Sequence, residues 1–230
     1  MNFIFYKCVK VISHTQKIVF ILFFICPSVI LFAQTSRTFL ISSTFDADSL
    51  ILIVGKNKII PTAIEKECLM ALSRYPELKN NYIEFIFAPI NFTMVARPRW
   101  DFFLKSRKKR VYKIRVNNNP QAYTGLVYDS LSQRMKIGWI GHELGHVLSY
   151  TKMNSFQIVG FGISYLFPKS KRKIERATDE TVIDHQLGNE LYDAAYYLWY
   201  QSNANAGYIN NNKKYYLSPE EILAKTKLGQ

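Results

Sequence analysis

Gly141-His142-Glu143-Leu144-Gly145-His146 is the stretch on which the reading of this chain turns. It lies within Gln133 to Tyr150, where apolar residues recur with helical periodicity. Four residues make just over one helical turn, so His142 and His146 share a face and can grip one metal ion. Glu143 stands about 100° round from His142, close enough to reach a water on that ion. Two imidazole ligands beside a carboxylate base are the donor set of zinc hydrolases. Around the same helix Ile137, Ile140, Leu144, Val147 and Leu148 form an apolar stripe, and Gly138, Gly141 and Gly145 a smooth one beside it. Each helical glycine costs about 1 kcal/mol relative to alanine. The expected compensation is close approach of a neighbouring backbone. The two histidines fall beyond the glycines, with Trp139, Glu143 and Tyr150 further round, and are expected to face a cleft.

Two histidines do not hold zinc firmly, and a catalytic site has three protein ligands. Of the four histidines, His14 lies near the N-terminus, which leaves His185. A metzincin would place a glycine three residues after His146 and a histidine six residues after it. Ser149 and Lys152 stand there, which excludes that class. Downstream, Glu175-Arg176-Ala177-Thr178-Asp179 puts two carboxylates four residues apart on one helical face. One can bind the ion while the other accepts a hydrogen bond from a ligating imidazole. The rival readings are ion pairs from Glu175 and Asp179 to Lys171–Lys173, and His185 as the third ligand.

With both motifs in view, the chain resembles the gluzincin zinc metallopeptidases. Within them it is most similar to the HtpX-like and CAAX-prenyl-protease-like branch, whose signature is HExxH followed by ExxxD. The resemblance spans about Gln133 to Leu187. It implies one Zn2+ held by His142, His146 and Glu175, with Glu143 as catalytic base and Asp179 orienting a ligand from behind. It also implies a peptide or protein substrate. The integral-membrane relatives carry several spanning helices; here the only long apolar run is N-terminal.

That run, Ile18 to Phe32, follows Lys7, Lys10 and Lys17 and precedes Ala33. At about 15 residues and broken by Pro27, it is short for a spanning helix. Residues 1–33 are therefore expected to be an export signal, or else an uncleaved membrane anchor, and 34–230 one domain in the periplasm or outside the cell. Cys68 is the one cysteine left downstream, so no internal disulfide or cysteine zinc site is expected.

The fold class expected is α+β: a small, mostly antiparallel sheet with one packed helix, then a helical half carrying the motifs. Leu50–Val54 reads as a short strand. Thr62 and Glu65 stand at capping-box spacing at the start of a helix running to about Arg74. Tyr82–Phe87, Phe92–Ala96 and Val111–Val116 read as strands, and Gly125–Tyr128 as an edge strand. Ser155–Phe167 is apolar, too short to span a bilayer, and read as a core-facing helix or loop, with a membrane-dipping element as the alternative. Lys171–Leu187 and Glu190–Gln201 read as helices, and Ser218-Pro219-Glu220-Glu221 starts the last one.

The 230 residues carry a formal charge of +13. Nine basic residues and one acid, Asp101, fall between Arg97 and Arg115. Such a stretch is a solvated hairpin tip or the contact for an anionic surface; nucleic acid is not an expected partner of an exported chain. The function expected is zinc-dependent peptide hydrolysis, with a second oxyanion donor drawn from Tyr150, His185, Tyr208, Tyr215 and Tyr216. The alternative is a zinc-stabilised envelope binding protein without turnover. A zinc amidase or esterase is a third reading.

Overall fold

The computed structural model describes residues 47–119 and 125–229. The N-terminal segment read as a signal or anchor lies outside them. The fold is mixed α+β, with helices around a four-stranded mixed sheet. In chain order the elements are α1 (Ala47–Val54), β1 (Lys58–Ile59), α2 (Glu65–Leu72), β2 (Tyr82–Ala88), β3 (Met94–Pro98) and β4 (Val111–Asn117). There follow α3 (Gln133–Lys152), α4 (Ser155–Ser164), α5 (Pro168–Asp184), α6 (Gly188–Tyr196), α7 (Ala206–Tyr215) and α8 (Pro219–Leu228).

The sheet order is β1-β2-β4-β3. β1 and β2 are parallel, β2 and β4 are parallel, and only β3 runs antiparallel, against β4. The sheet is thus mostly parallel, which corrects the antiparallel reading. That reading assumed that consecutive strands pair. Instead β4 takes an inner place: its Tyr112, Ile114 and Val116 are fully buried and lie level with Ile83, Phe85 and Phe87 of β2. β3 ends in Arg97-Pro98, and a proline that cannot donate to a ladder belongs at an edge.

Other local expectations also yield to packing. Leu50–Val54 is helical in α1, because Leu50 and Val54 reach the core one turn apart while Leu52 points to solvent. Thr62–Ile64 forms a 3₁₀ turn without a side-chain cap, and α2 starts at Glu65. Gly125–Tyr128 adds no strand; Tyr128 instead opens a 3₁₀ turn. One helix start follows its sequence signal: Ser218 with Glu221 forms a capping box on α8. Ser132 also caps α3, by accepting from Met135 N. Cys68 is a buried free thiol.

α3 is the centre of the molecule. Every residue from Ile137 to Leu148 is buried, with α2, β3, α5 and α6 packed around the helix. The glycine stripe is where its neighbours come close. A Cβ on Gly138 would lie 2.3 Å from the Glu190 carbonyl oxygen of α6. One on Gly145 would meet the Thr178 methyl group of α5 at 2.9 Å. The expected close backbone approach thus holds at Gly138, while Gly141 and Gly145 are closed over chiefly by side chains.

α4 departs most from its reading. Ile158 is buried and Phe161 packs on Tyr150, but Phe156, Val159, Ile163, Leu166 and Phe167 are exposed. Only one side of this segment faces the core. No helix among the described residues is long and apolar enough to cross a membrane.

Gly138→Ala is expected to cost about 1–3 kcal/mol, because its Cβ meets backbone that cannot move without shifting α6. Gly141→Ala meets only the end of the Leu187 side chain and costs less. Thermal unfolding of both variants checks this order.

Candidate metal centre

The helical pitch brings His142 and His146 to one side of α3, and α5 crosses that side with Glu175 and Asp179. Glu175 Oε2 lies 3.2 Å from Nε2 of His142 and 3.2 Å from Nε2 of His146. The two Nε2 atoms are 3.0 Å apart. All three side chains are buried. A tetrahedral ion bound at about 2.0–2.1 Å separates its ligands by about 3.3 Å, close to these spacings.

The far nitrogens settle which ring atoms are free. Asp179 Oδ1 lies 2.9 Å from His142 Nδ1, and Asp179 Oδ2 accepts from the Leu217 backbone N–H at 2.9 Å. A carboxylate only accepts, so His142 carries its proton on Nδ1. Thr178 Oγ1 donates to the Ile174 carbonyl oxygen at 3.0 Å, leaving its lone pairs for His146 Nδ1–H at 3.3 Å. Both neutral rings therefore turn a bare Nε2 toward Glu175. Three acceptors converge with no donor between them, and only a cation satisfies them. This buried His-His-Glu group can hold a metal ion.

Electrostatics agree with that need for positive charge. Burial opposes charge on His142, but the carboxylates of Asp179 and Glu175 outweigh it and hold its pKa well above the ordinary value. Burial likewise opposes charge on Glu175, and its hydrogen bonds to His142 and His146 override it, holding its pKa well below the carboxylate range.

Glu143 adjoins this group. It is buried, and its Oε2 has no hydrogen-bond partner among the described residues. Burial raises its pKa, against the pull of His146 and His142 and of the Ala96 backbone amide. An unpaired buried carboxylate oxygen is costly.

Glu175 and Asp179 thus face the histidines, not Lys171–Lys173. Arg176 instead pairs with Glu221, and Glu180 with Lys225, fastening α5 to α8. His185 lies elsewhere. Its ring stacks on Tyr75 at 4.1 Å, and its Nε2 lies 3.3 Å from Glu77. It is neither a ligand nor an oxyanion donor. Of the tyrosines, Tyr216 packs 5.4 Å from the His142 ring, and Tyr208 holds Thr93 Oγ1 at 3.0 Å. Tyr215 lies under Lys171 and Lys214. The sequence reading missed Thr178 and Tyr165. Tyr165 interacts with Glu175. Thr178 was legible in principle: it stands three residues after Glu175 on the face of α5 that meets Gly145.

No protein-family model, curated protein or solved structure matches this chain.

Asp179→Asn is expected to weaken metal binding about 10- to 100-fold, since it removes the charge that orients His142. Glu175→Ala is expected to abolish stoichiometric binding. Titration of the metal against a chelating indicator measures both.

Proposed function

We propose that the chain is a zinc-dependent peptidase, in a minimal gluzincin-like form, in which His142, His146 and Glu175 hold one Zn2+ and Glu143 is the general base. The observation that carries this reading is the convergence of three buried acceptors beside a fourth, unpartnered carboxylate. Zinc held by this donor set supplies a Lewis acid that brings the pKa of water to about 7.

The chain's own residues divide the remaining work. Asp179 and Thr178 keep the imidazoles in the Nδ1–H form that leaves both Nε2 atoms free to ligate. Glu143 takes a proton from the attacking water at its free Oε2 and delivers it to the leaving amine. Burial raises its pKa above the ordinary carboxylate value, which makes it a stronger base than a solvated carboxylate. A binding module would have no use for a buried carboxylate that leaves one oxygen unpartnered beside the donors, and this favours turnover.

The edge strand β3 lies beside the base. Thr93 O accepts from Asn117 N, and Arg99 N donates to Val111 O, so the odd-numbered residues of β3 bond to β4. Met94 and Ala96 then turn their backbone groups away from β4, where the Ala96 amide meets Glu143.

Glu143→Gln is expected to retain about one zinc per chain and the wild-type melting temperature while losing at least a thousandfold in hydrolysis of an unfolded protein. Metal analysis and a cleavage assay on the same preparation check it. Wild-type activity in the variant would sink the mechanism.

A further inference from the structure

The exposed side of α4 and of the turn after it is apolar along its whole length. Phe156, Val159 and Ile163 recur at helical spacing, and Leu166 and Phe167 continue the same side. Phe156 is 89% exposed and Leu166 77%. A Cβ added at Gly160 or Gly162 would touch nothing, so this side is open. The β3–β4 connection presents a second exposed group: Trp100 (74%), Phe103 and Leu104.

Arg110 brings the two groups together. Its side chain is buried and donates to the Phe102 carbonyl oxygen at 3.1 Å, the Met153 carbonyl oxygen at 2.7 Å and Ser155 Oγ at 3.0 Å. The residue before Phe103 and the residue before Phe156 thus hang on one guanidinium.

Exposed cations border both groups: Lys105, Arg107, Lys108 and Lys109 on one side, Lys169 and Lys173 on the other. Acids do not offset them. Asp101 is buried and paired with Arg99, and the chain from Met153 to Ile174 contains no Asp or Glu.

We propose that this face docks the protein on an anionic lipid bilayer, with α4 lying in the interface. The charge pattern selects that occupant. A second copy of the chain would set lysine against lysine, and an apolar partner would leave the cations unpaired. An anionic bilayer accepts both features: aromatic and aliphatic side chains enter the headgroup–acyl boundary while Lys and Arg meet phosphates. At 10 residues α4 lies on the membrane and does not cross it. The inner side of the same segment reaches the metal centre, through Phe161 on Tyr150 and Tyr165 on Glu175. Docking therefore holds that centre close to the membrane surface. The docking does not depend on the peptidase reading.

The test uses the full chain and vesicles of phosphatidylglycerol or phosphatidylcholine with brominated acyl chains, which quench tryptophans that enter them. Trp100 is exposed, Trp139 buried and Trp199 partly buried. Phosphatidylglycerol vesicles are expected to quench the wild type, and Trp100→Phe to remove that quenching. Phe156→Ser with Ile163→Ser is expected to weaken partitioning at least tenfold. Lys105→Glu with Lys108→Glu is expected to weaken it about 25-fold, with steep loss in high salt. These positions are exposed, so thermal melting should not change. The proposal fails if Trp100 stays unquenched while the chain sediments with vesicles, which would assign attachment to the N-terminal segment. It also fails if neutral vesicles bind as well, or if the lipid-free chain self-associates with Trp100 covered.

Discussion

Three hydrogen-bond acceptors pointed at one another inside a protein repel, and here they are held 3.0–3.2 Å apart. The low dielectric of the interior strengthens that repulsion, so the group favours positive charge among the three. Much of the surrounding structure resists their separation. Asp179 is anchored through the Leu217 backbone amide, and Arg176 clamps α5 to α8 through Glu221. Gly145 lets Thr178 close enough to orient His146. A group held in this way can take up an ion without reorganising.

α3 serves its neighbours by face. Its apolar stripe joins the core shared with α2 and the sheet, its glycines admit α5 and α6, and its histidines meet the α5 carboxylates. Glu143 is left over, buried between α3 and the edge strand β3 with one oxygen unpaired. Burial without a partner destabilises the fold, and function is the simplest reason for its retention. α4 carries a similar division. One side closes over the His-His-Glu group and the other is apolar and open.

Signals confined to one or two turns were legible. Ser218 marks a helix start that the structure keeps, and the alternation in Val111–Val116 marks a real strand. Signals that depend on neighbours were not. Strand order depended on which strand could be buried on both flanks, and β4 entered between β2 and β3. Leu50–Val54 has the composition of a strand, yet its two core contacts are a helical turn apart. α7 gave no periodic signal, because its polar Asn210-Asn211-Asn212 run obscures it, although Trp199 Nε1 donates to Asn212 Oδ1.

For the site, the sequence alone determined that His142 and His146 share a face, that Glu143 adjoins them and that Glu175 and Asp179 lie one turn apart. Helical pitch sets those relations, and any helix with this sequence has them. Tertiary structure decided that α5 meets α3 at that face, that Asp179 orients His142 while Glu175 joins the donors, and that His185 turns away to Tyr75. Such relations depend on how closely two helices approach and at what rotation. Packing of distant side chains sets both, and no local spacing encodes them.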